Sequence, residues 1–411
     1  MHKHHPIRRA LRQRGLDSLW PSTRSWWSPS QDAGVPYANP HAWVCGGAQQ
    51  LPLTVSTPAK YIYDERSKLI QAVPANALGW GAPQEPARTN LWLRNTDLQD
   101  EGAHGLNTAT NITVDDGGES GLYSHNYCTL TATDANGTFT QAITATAVAY
   151  TTSFWIRRRT GSGAIELTAD GSTWAAVTVT AAWTRVSVSQ TASAASLNIG
   201  LRIVTSGDAV DVDLAQYELG AYPSSTIITA GSSVARAADA LRLINAGVFG
   251  PLANAGSLLC VFRAPYTVAA LSADQGIVSI NGSDSLNNCH RIIIESGAPA
   301  GAISFSSLSG GAGQGQIPSS GGTTLAAGTL YAVAITFKAN ALALYINGSL
   351  IGTDPSATPP VGLDRLEIGS DRSSNARFGG DTFLVAAFDR ALQDHEARAL
   401  TSNPEALKWA S

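Results

Sequence analysis

Charge is scarce in this chain. Asp, Glu, Lys and Arg make up 14% of its 411 residues, against roughly a quarter in ordinary soluble domains. That deficit excludes a coiled-coil rod, which needs Glu and Lys in dense heptads. A disordered acidic or basic chain is excluded too, because apolar residues reach 44% and the formal net charge is only −4. Long hydrophobic runs are missing: nothing approaches the ~18–20 apolar residues of a membrane span, so no membrane insertion is expected. Cysteine is sparse, with Cys45, Cys128, Cys260 and Cys289 scattered and no CxxC pair. Structural zinc, which needs close ligand pairs, is therefore not expected. The even count admits two disulfides. With no apolar core behind the basic start to mark export, free buried thiols are the stronger expectation. Ala, Ser, Thr and 39 Gly stand where charge is lacking.

What charge there is lies unevenly. Residues 1–30 hold Lys3, Arg8, Arg9, Arg12, Arg14 and Arg24 against the single acid Asp17, on an otherwise acidic chain. A basic end on an acidic body implies docking onto something negative, with a solvated, disordered end as the plain alternative. Trp20, Trp26, Trp27 and Trp43 fall in the same stretch, and aromatics at that density favour burial against a partner or a second copy. Arg8, Arg9, Arg12, Arg14, Trp20, Trp26 and Trp27 are accordingly the candidate anchoring residues of an N-terminal arm, 1–52. His2, His4 and His5 offer at most a weak metal site.

Past residue 50 the sequence reads as short strands and turns. The segments 151–156, 176–180, 184–189 and 209–214 are rich in β-branched or aromatic residues. Val210, Val212 and Leu214 alternate with Asp211 and Asp213, the pattern of a strand with one wet face. A second set covers 257–263, 276–280, 290–295, 302–305, 330–337, 341–346, 350–352, 366–368 and 382–388. Asn136-Gly137, Asn281-Gly282 and Asn347-Gly348 are expected to make the positive-φ turns of hairpins. The stretch 307–322, loaded with Gly and Ser, reads as one long mobile loop. One strong helix signal follows Asp394 and stops at Asn403-Pro404; 8–19 is a weaker one. The expected fold class is all-β: two tandem sandwich or jelly-roll domains, 53–243 and 244–411, with an extended arm and a short C-terminal helix.

The residues offer little reactive chemistry. Asp211 and Asp213 share a strand face at i, i+2, as paired glycosidase carboxylates do, but a solvated outer face is the simpler reading. Glu367 has Gly369 where a second carboxylate would stand. No GxSxG elbow occurs, the histidines are dispersed, and 309–315 lacks the Lys of a phosphate loop. No enzyme is expected. Sugar recognition needs aromatic faces and rim polar groups; Trp80, Trp92, Trp174 and Tyr217 are candidates for the faces, while Trp155 and Trp183 read as core. Arg157 and Arg159 share one side of a strand and Arg158 the other. The first two are candidates for an anionic polysaccharide, with a solvated strand end or a salt link as the alternative. No cofactor is expected beyond a possible structural calcium, with Asp115, Asp116 and Glu119, or Asp364 with Asp371, as candidate ligands. Glu85, Arg88, Arg236 and Asp239 bracket the first module and are expected to clasp it shut by opposite charge, Arg88 coupling to Asp239.

Some of these residues form recognisable runs. Glu85-Pro86-Ala87-Arg88-Thr89-Asn90-Leu91 resembles the opening of a β-sandwich module found in bacteriophage structural proteins. The same module's ending resembles Gln216, Glu218 and Gly220, then Ser224-Ser225-Thr226-Ile227-Ile228-Thr229, then Arg236-Ala237-Ala238-Asp239. Order and spacing agree over about 55–243. The last ~160 residues are similar to a concanavalin-A-like jelly roll of the laminin-G or pentraxin type, through Leu344-Tyr345-Ile346-Asn347-Gly348, Leu366-Glu367-Ile368-Gly369 and the Leu392 to Glu396 finish. The resemblance implies a virion protein of the tail-fibre or appendage type, binding a host-surface glycan or receptor. A purely structural decoration or connector protein is the rival, and a glycan-degrading enzyme a weaker third. It implies other virion proteins as partners through the arm, a homo-oligomer with trimer first, possible host polysaccharide contact, no nucleic acid, and residence in the virion.

Overall fold

The computed structural model describes residues 59–64, 68–73, 75 and 84–408, the last with short breaks at 100–105, 119–120, 124–126, 245, 265, 267–270, 272, 283–286, 298–299, 319–320 and 371–376, together with the backbone of four strands between residues 23 and 56. It is an all-β protein in two compact units. One comprises 60–72 and 87–237; the other comprises 1–59, 73–86 and 238–411. The first is therefore an insertion within the second, not a tandem predecessor.

In the inserted unit two five-stranded antiparallel sheets face each other. One runs Thr184–Thr191, Ala149–Thr160, Ala209–Leu219, Cys128–Ala132, Ile112–Asp116; the other runs Ala175–Val177, Ile165–Thr168, Ser196–Ile203, Gly137–Thr144, Asn107–Thr110. Alternation makes the core between them: Leu197, Ile199, Leu201 and Ile203 point inward from one strand, and Val210, Val212, Ala215 and Tyr217 from the facing one. The switch of parity after Val212 comes from Leu214, held at φ 49 opposite a register shift between Ser153 and Trp155. This bulge places Leu214 on the outer side with Asp211 and Asp213. There it packs with Ile70, Leu122 and Trp155, beside Tyr61, Tyr63, Tyr123 and Trp183. The face expected to be wet is thus roofed, and Asp211 and Asp213 are only 2% and 1% exposed.

The module's ends are tied by buried amide and carboxylate side chains. Asn90 Nδ2 donates to the Ile227 carbonyl at 2.9 Å, and its Oδ1 accepts the Trp92 and Tyr217 N–H groups at 3.0 Å each. Glu218 accepts from Ser224 N at 2.7 Å, Ser224 Oγ at 2.6 Å and Gln216 Nε2 at 2.7 Å. Arg88 pairs with Glu218, Nε to Oε2 at 3.6 Å, and Arg236 donates to Ser225 Oγ at 2.7 Å. Arg88 and Arg236 sit opposite each other in a two-stranded ladder. Glu85 and Asp239 belong to the other unit, where each one's backbone N–H is bonded by its counterpart, to Asp239 Oδ2 at 2.8 Å and to the Glu85 carbonyl at 2.9 Å. The bracketing residues thus lie where each unit's end segments meet.

The other unit is a jelly roll of an eight-stranded and a seven-stranded sheet. The first runs Ser349–Asp354, Ala341–Ile346, Leu330–Lys338, Ala255–Arg263, Asp381–Phe388, Thr23–Trp27, His41–Trp43, Gln50–Pro52. The second runs Ala312–Ile317, Ile303–Ser309, Cys289–Ile294, Gln275–Gly282, Leu363–Ile368, Ala240–Ile244, Thr54–Ser56. Ala255–Arg263 is apolar on both sides because both are covered. Leu259 and Val261 lie under Ala397 and Leu400 of the helix Asp394–Thr401, while Leu258, Cys260 and Phe262 are equally buried on the opposite side. Gln393, one residue earlier than expected, caps that helix in a box with Glu396.

Three sequence expectations fail here. The stretch 307–322 is no loop: Gly310 and Gly311, both at positive φ, turn Ile303–Ser309 back into Ala312–Ile317. Asn281-Gly282 does not make a turn but ends the strand Gln275–Gly282, with Asn281 paired to Cys289 and Arg365. The third is the arm. Thr23–Trp27 pairs antiparallel with Asp381–Phe388, placing Trp26 opposite Ala386 and Trp27 opposite Val385, and His41–Trp43 adds alongside. Those positions are part of the jelly roll's sheet, so the separate arm 1–52 is corrected; Arg8, Arg9, Arg12, Arg14 and Trp20 lie outside the described residues. Deleting residues 1–56 removes three strands from one sheet and one from the other. The truncated chain is expected to lose the cooperative thermal transition of the C-terminal unit while keeping that of the inserted module, as read by calorimetry; two unchanged transitions would reject this.

Candidate functional site

The outer face of the inserted unit's second sheet is open where its counterpart is roofed. Outward positions read Thr138, Thr140, Ala142 and Thr144 on one strand and Ser196, Asn198, Gly200 and Arg202 on its neighbour, paired in register. Thr108 and Thr110 extend the face on one side and Glu166 on the other, while the row Thr168, Gly200, Thr140 across its middle is buried. Ala142, Thr144, Ser196, Asn198, Thr108 and Thr110 are all exposed. A Cβ at Gly200 would lie 2.1 Å from the Phe139 carbonyl oxygen. Gly200 therefore cannot carry a side chain, because the clash is with backbone that cannot give way.

Trp174 stands at one end of this face. Arg202 lies over its ring, the guanidinium carbon 4.8 Å from the centroid, and donates through Nε to Glu166 Oε2 at 2.6 Å. The cation–π contact and ion pair hold the half-buried indole in place. The loop that delivers it is fixed by Asp170, whose Oδ1 accepts from Ser172 N at 2.8 Å, Thr173 N at 2.6 Å and Thr168 Oγ1 at 3.1 Å. Burial acts to raise the Asp170 carboxyl, but these donors overcome it and hold it down at about 2. The loop is thus preorganised at any ordinary pH. A flat polar face with a fixed indole at one end can stack a sugar ring and hydrogen-bond its hydroxyls.

Of the five described residues among the six picked from the sequence for sugar contact, Trp174 alone reaches this face. Trp92 and Tyr217 are 0% exposed in the core, Trp92 edge-on to Phe154 and Tyr217 stacked on Tyr150, so neither can meet a ligand. Trp80 lies outside the described residues. Arg157 and Arg159 do share one side of their strand, on the roofed sheet, where both converge on Asp211 at 2.7 and 3.2 Å. Arg157 is further held between Tyr127 and Trp183, at 4.9 and 4.8 Å. Arg158 points the other way, to Asp208. The salt-link alternative describes Arg157 and Arg159 better than an anion site does.

Asp115 and Asp116 occupy consecutive positions of Ile112–Asp116 and so project from opposite faces, which prevents them from chelating one ion together. Asp116 Oδ1 accepts from Gly118 N at 2.9 Å, Asp364 pairs with Arg365 at 2.8 Å, and Glu119 and Asp371 lie outside the described residues. Among the described residues no cluster of three metal-ligating side chains occurs. Cys128, Cys260 and Cys289 are buried and none is joined to another of the three, and burial pushes the Cys260 thiol pKa up. Among the described residues no helix is long and apolar enough to cross a membrane. Reading the sequence for aromatic count missed Arg202, Glu166 and Asn198. The signal was present in residues 196–203, where Leu and Ile alternate strictly with Ser, Asn, Gly and Arg.

Residues 267–398 match the family model of the concanavalin A-like lectin/glucanases superfamily. The C-terminal unit thus carries a concanavalin A-like jelly-roll domain. Similar solved structures include the CBM40 of Ruminococcus gnavus IT-sialidase bound to α2,3-sialyllactose, 18% identical, covering 36% of this chain and 83% of that one at TM-score 0.30. The binding domain of botulinum neurotoxin DC in complex with SialylT is 15% identical, covering 40% and 39%, at TM-score 0.30. A heptameric SAP-like pentraxin from Limulus polyphemus is 13% identical, covering 35% and 68%, at TM-score 0.26. At such scores these likenesses add nothing to the fold fixed by the strand pairing. No curated protein matches the chain.

Proposed function

We propose that the protein binds glycans without turning them over, and that the open sheet face of the inserted module is its binding surface. The observation that carries this is Trp174, half-buried and locked by Arg202 at one end of a sheet face whose exposed positions are mostly polar. The match of 267–398 to a superfamily containing lectins is in keeping with it. Binding without catalysis is supported by the acid pair Asp211 and Asp213: both oxygens of Asp211 are taken by arginines, and Asp213 Oδ2 accepts the Leu122 N–H at 2.9 Å. Trp174→Ala is expected to weaken glycan binding at least tenfold with an unchanged melting temperature, measured by titration calorimetry. Equal affinity of variant and parent would end the assignment.

The finer reading is a phage appendage protein, trimeric, meeting a host-surface glycan at adsorption. Its support is the resemblance of residues 55–243 to virion modules. Gold-labelled antibody against the chain should then decorate tails or fibres in electron micrographs of particles.

A further inference from the structure

The buried row Thr168, Gly200, Thr140 sets the Trp174 end of the face apart from exposed Asn198 and Ala142 beyond it. At that end one row crosses four strands: Glu166, Arg202, Thr138 and Thr110, each in register with the next and each at least partly exposed. Neighbouring strands lie ~4.8 Å apart, so the row is about 14 Å long.

Its one ion pair is lopsided. Arg202 donates through Nε to Glu166 Oε2 at 2.6 Å, and Nη2 meets the same oxygen. A fork-to-fork pair would occupy both carboxylate oxygens. In this one Oε1 is left without a hydrogen-bond partner among the described residues, and so is Nη1. The two side chains are 18% and 26% exposed, so both groups are within reach of a ligand. The Trp174 ring, its centroid 4.8 Å from the guanidinium carbon, steadies Arg202 in this pose.

An acceptor and a donor at the two ends of one ion pair are complementary to two hydroxyls on neighbouring carbons, one donating to Oε1 and the other accepting from Nη1. The Thr138 side chain follows next along the row. A charged sugar fits worse, because an anion that approached Arg202 would meet Glu166 with it, and a cation the reverse.

We infer that this row reads a vicinal diol of a neutral pyranose, with Glu166 Oε1 as the acceptor for one hydroxyl and Arg202 Nη1 as the donor to the next. This rests on the glycan-binding reading above. The test titrates the full chain with the methyl glycosides of galactose, glucose and mannose and with their 2-, 3- and 4-deoxy forms, and repeats the series with Glu166→Gln and Trp174→Ala. In Glu166→Gln the amide keeps an oxygen for Arg202 and turns the free position from acceptor into donor. For a glycoside that binds the parent, removing either hydroxyl of one neighbouring pair should cost at least tenfold in affinity. Glu166→Gln should shrink one of these two losses below threefold at an unchanged melting temperature, which a merely structural ion pair would not do. If Trp174→Ala abolishes binding but the losses are small, fall on carbons that are not neighbours, or survive intact in Glu166→Gln, the diol reading is wrong and glycan binding stands. No binding of any probe, or binding indifferent to Trp174→Ala, overturns both.

Discussion

Glu218→Ala is expected to unfold the inserted module at temperatures where the jelly roll stays intact. Glu218 is 0% exposed and its carboxylate accepts three hydrogen bonds from Ser224 and Gln216 while facing Arg88. Gln216 in turn accepts the Ile227 N–H at 2.9 Å, and Ile227 gives its carbonyl to Asn90 and Asn95. Removing the carboxylate leaves Ser224 N–H, a hydroxyl, an amide and a guanidinium group short of their acceptor in a place water does not reach. Breaking a buried charged network of this kind costs about 3–5 kcal/mol, a large part of one domain's stability. Glu218→Gln, which keeps one acceptor oxygen, should cost less. Amide exchange within 128–219 measures both; protection equal to the parent's in Glu218→Ala would mean that the network carries no weight.

Acidification is expected to weaken the jelly roll through a single side chain. His290 is 1% exposed, stacked on Phe337 with centroids 3.9 Å apart, and neither ring nitrogen has a partner among the described residues. Burial lowers its pKa from 6.5 to about 3. As pH falls below 6.5 the unfolded chain takes up a proton that the folded one refuses, so stability is lost progressively, by about 1.4 kcal/mol per pH unit, until the folded pKa is reached. Between pH 6.5 and 4.5 this amounts to roughly 2–3 kcal/mol. His290→Phe fits an aromatic wall already made by Phe305 and Phe337 and removes the titration. The difference between the urea midpoints of parent and variant should therefore change across that range; a constant difference would place the acid sensitivity elsewhere.

Strands were legible wherever side-chain alternation was unbroken. The run at Ala341–Ile346 matched residue for residue, because every inward position is apolar and the Asn347-Gly348 turn fixes its end. Legibility failed where small residues carried a strand. Ala312–Ile317 is mostly glycine and glutamine, and it reads as a loop until its pairing with Ile303–Ser309 supplies the order. Site residues were misjudged for a related reason. Trp92 and Tyr217 look like good stacking platforms by type, but a sandwich spends its largest rings on its own core, and parity after a bulge cannot be counted from the sequence. The recognisable runs around Asn90, Gln216 and Ser224 turned out to be closure hardware rather than ligand contacts.

Thr23 sits opposite Phe388 in the eight-stranded sheet, so nearly the whole chain must exist before that ladder can zip. During synthesis the inserted module emerges complete, with both of its end segments in hand, and can settle while the ribosome is still making the second half of its host. The early strands meanwhile have no template and must wait, exposing unpaired edges, until the final strand arrives. Expression of this protein should accordingly depend less on how fast it folds than on how long its first sixty residues are kept from sticking to one another.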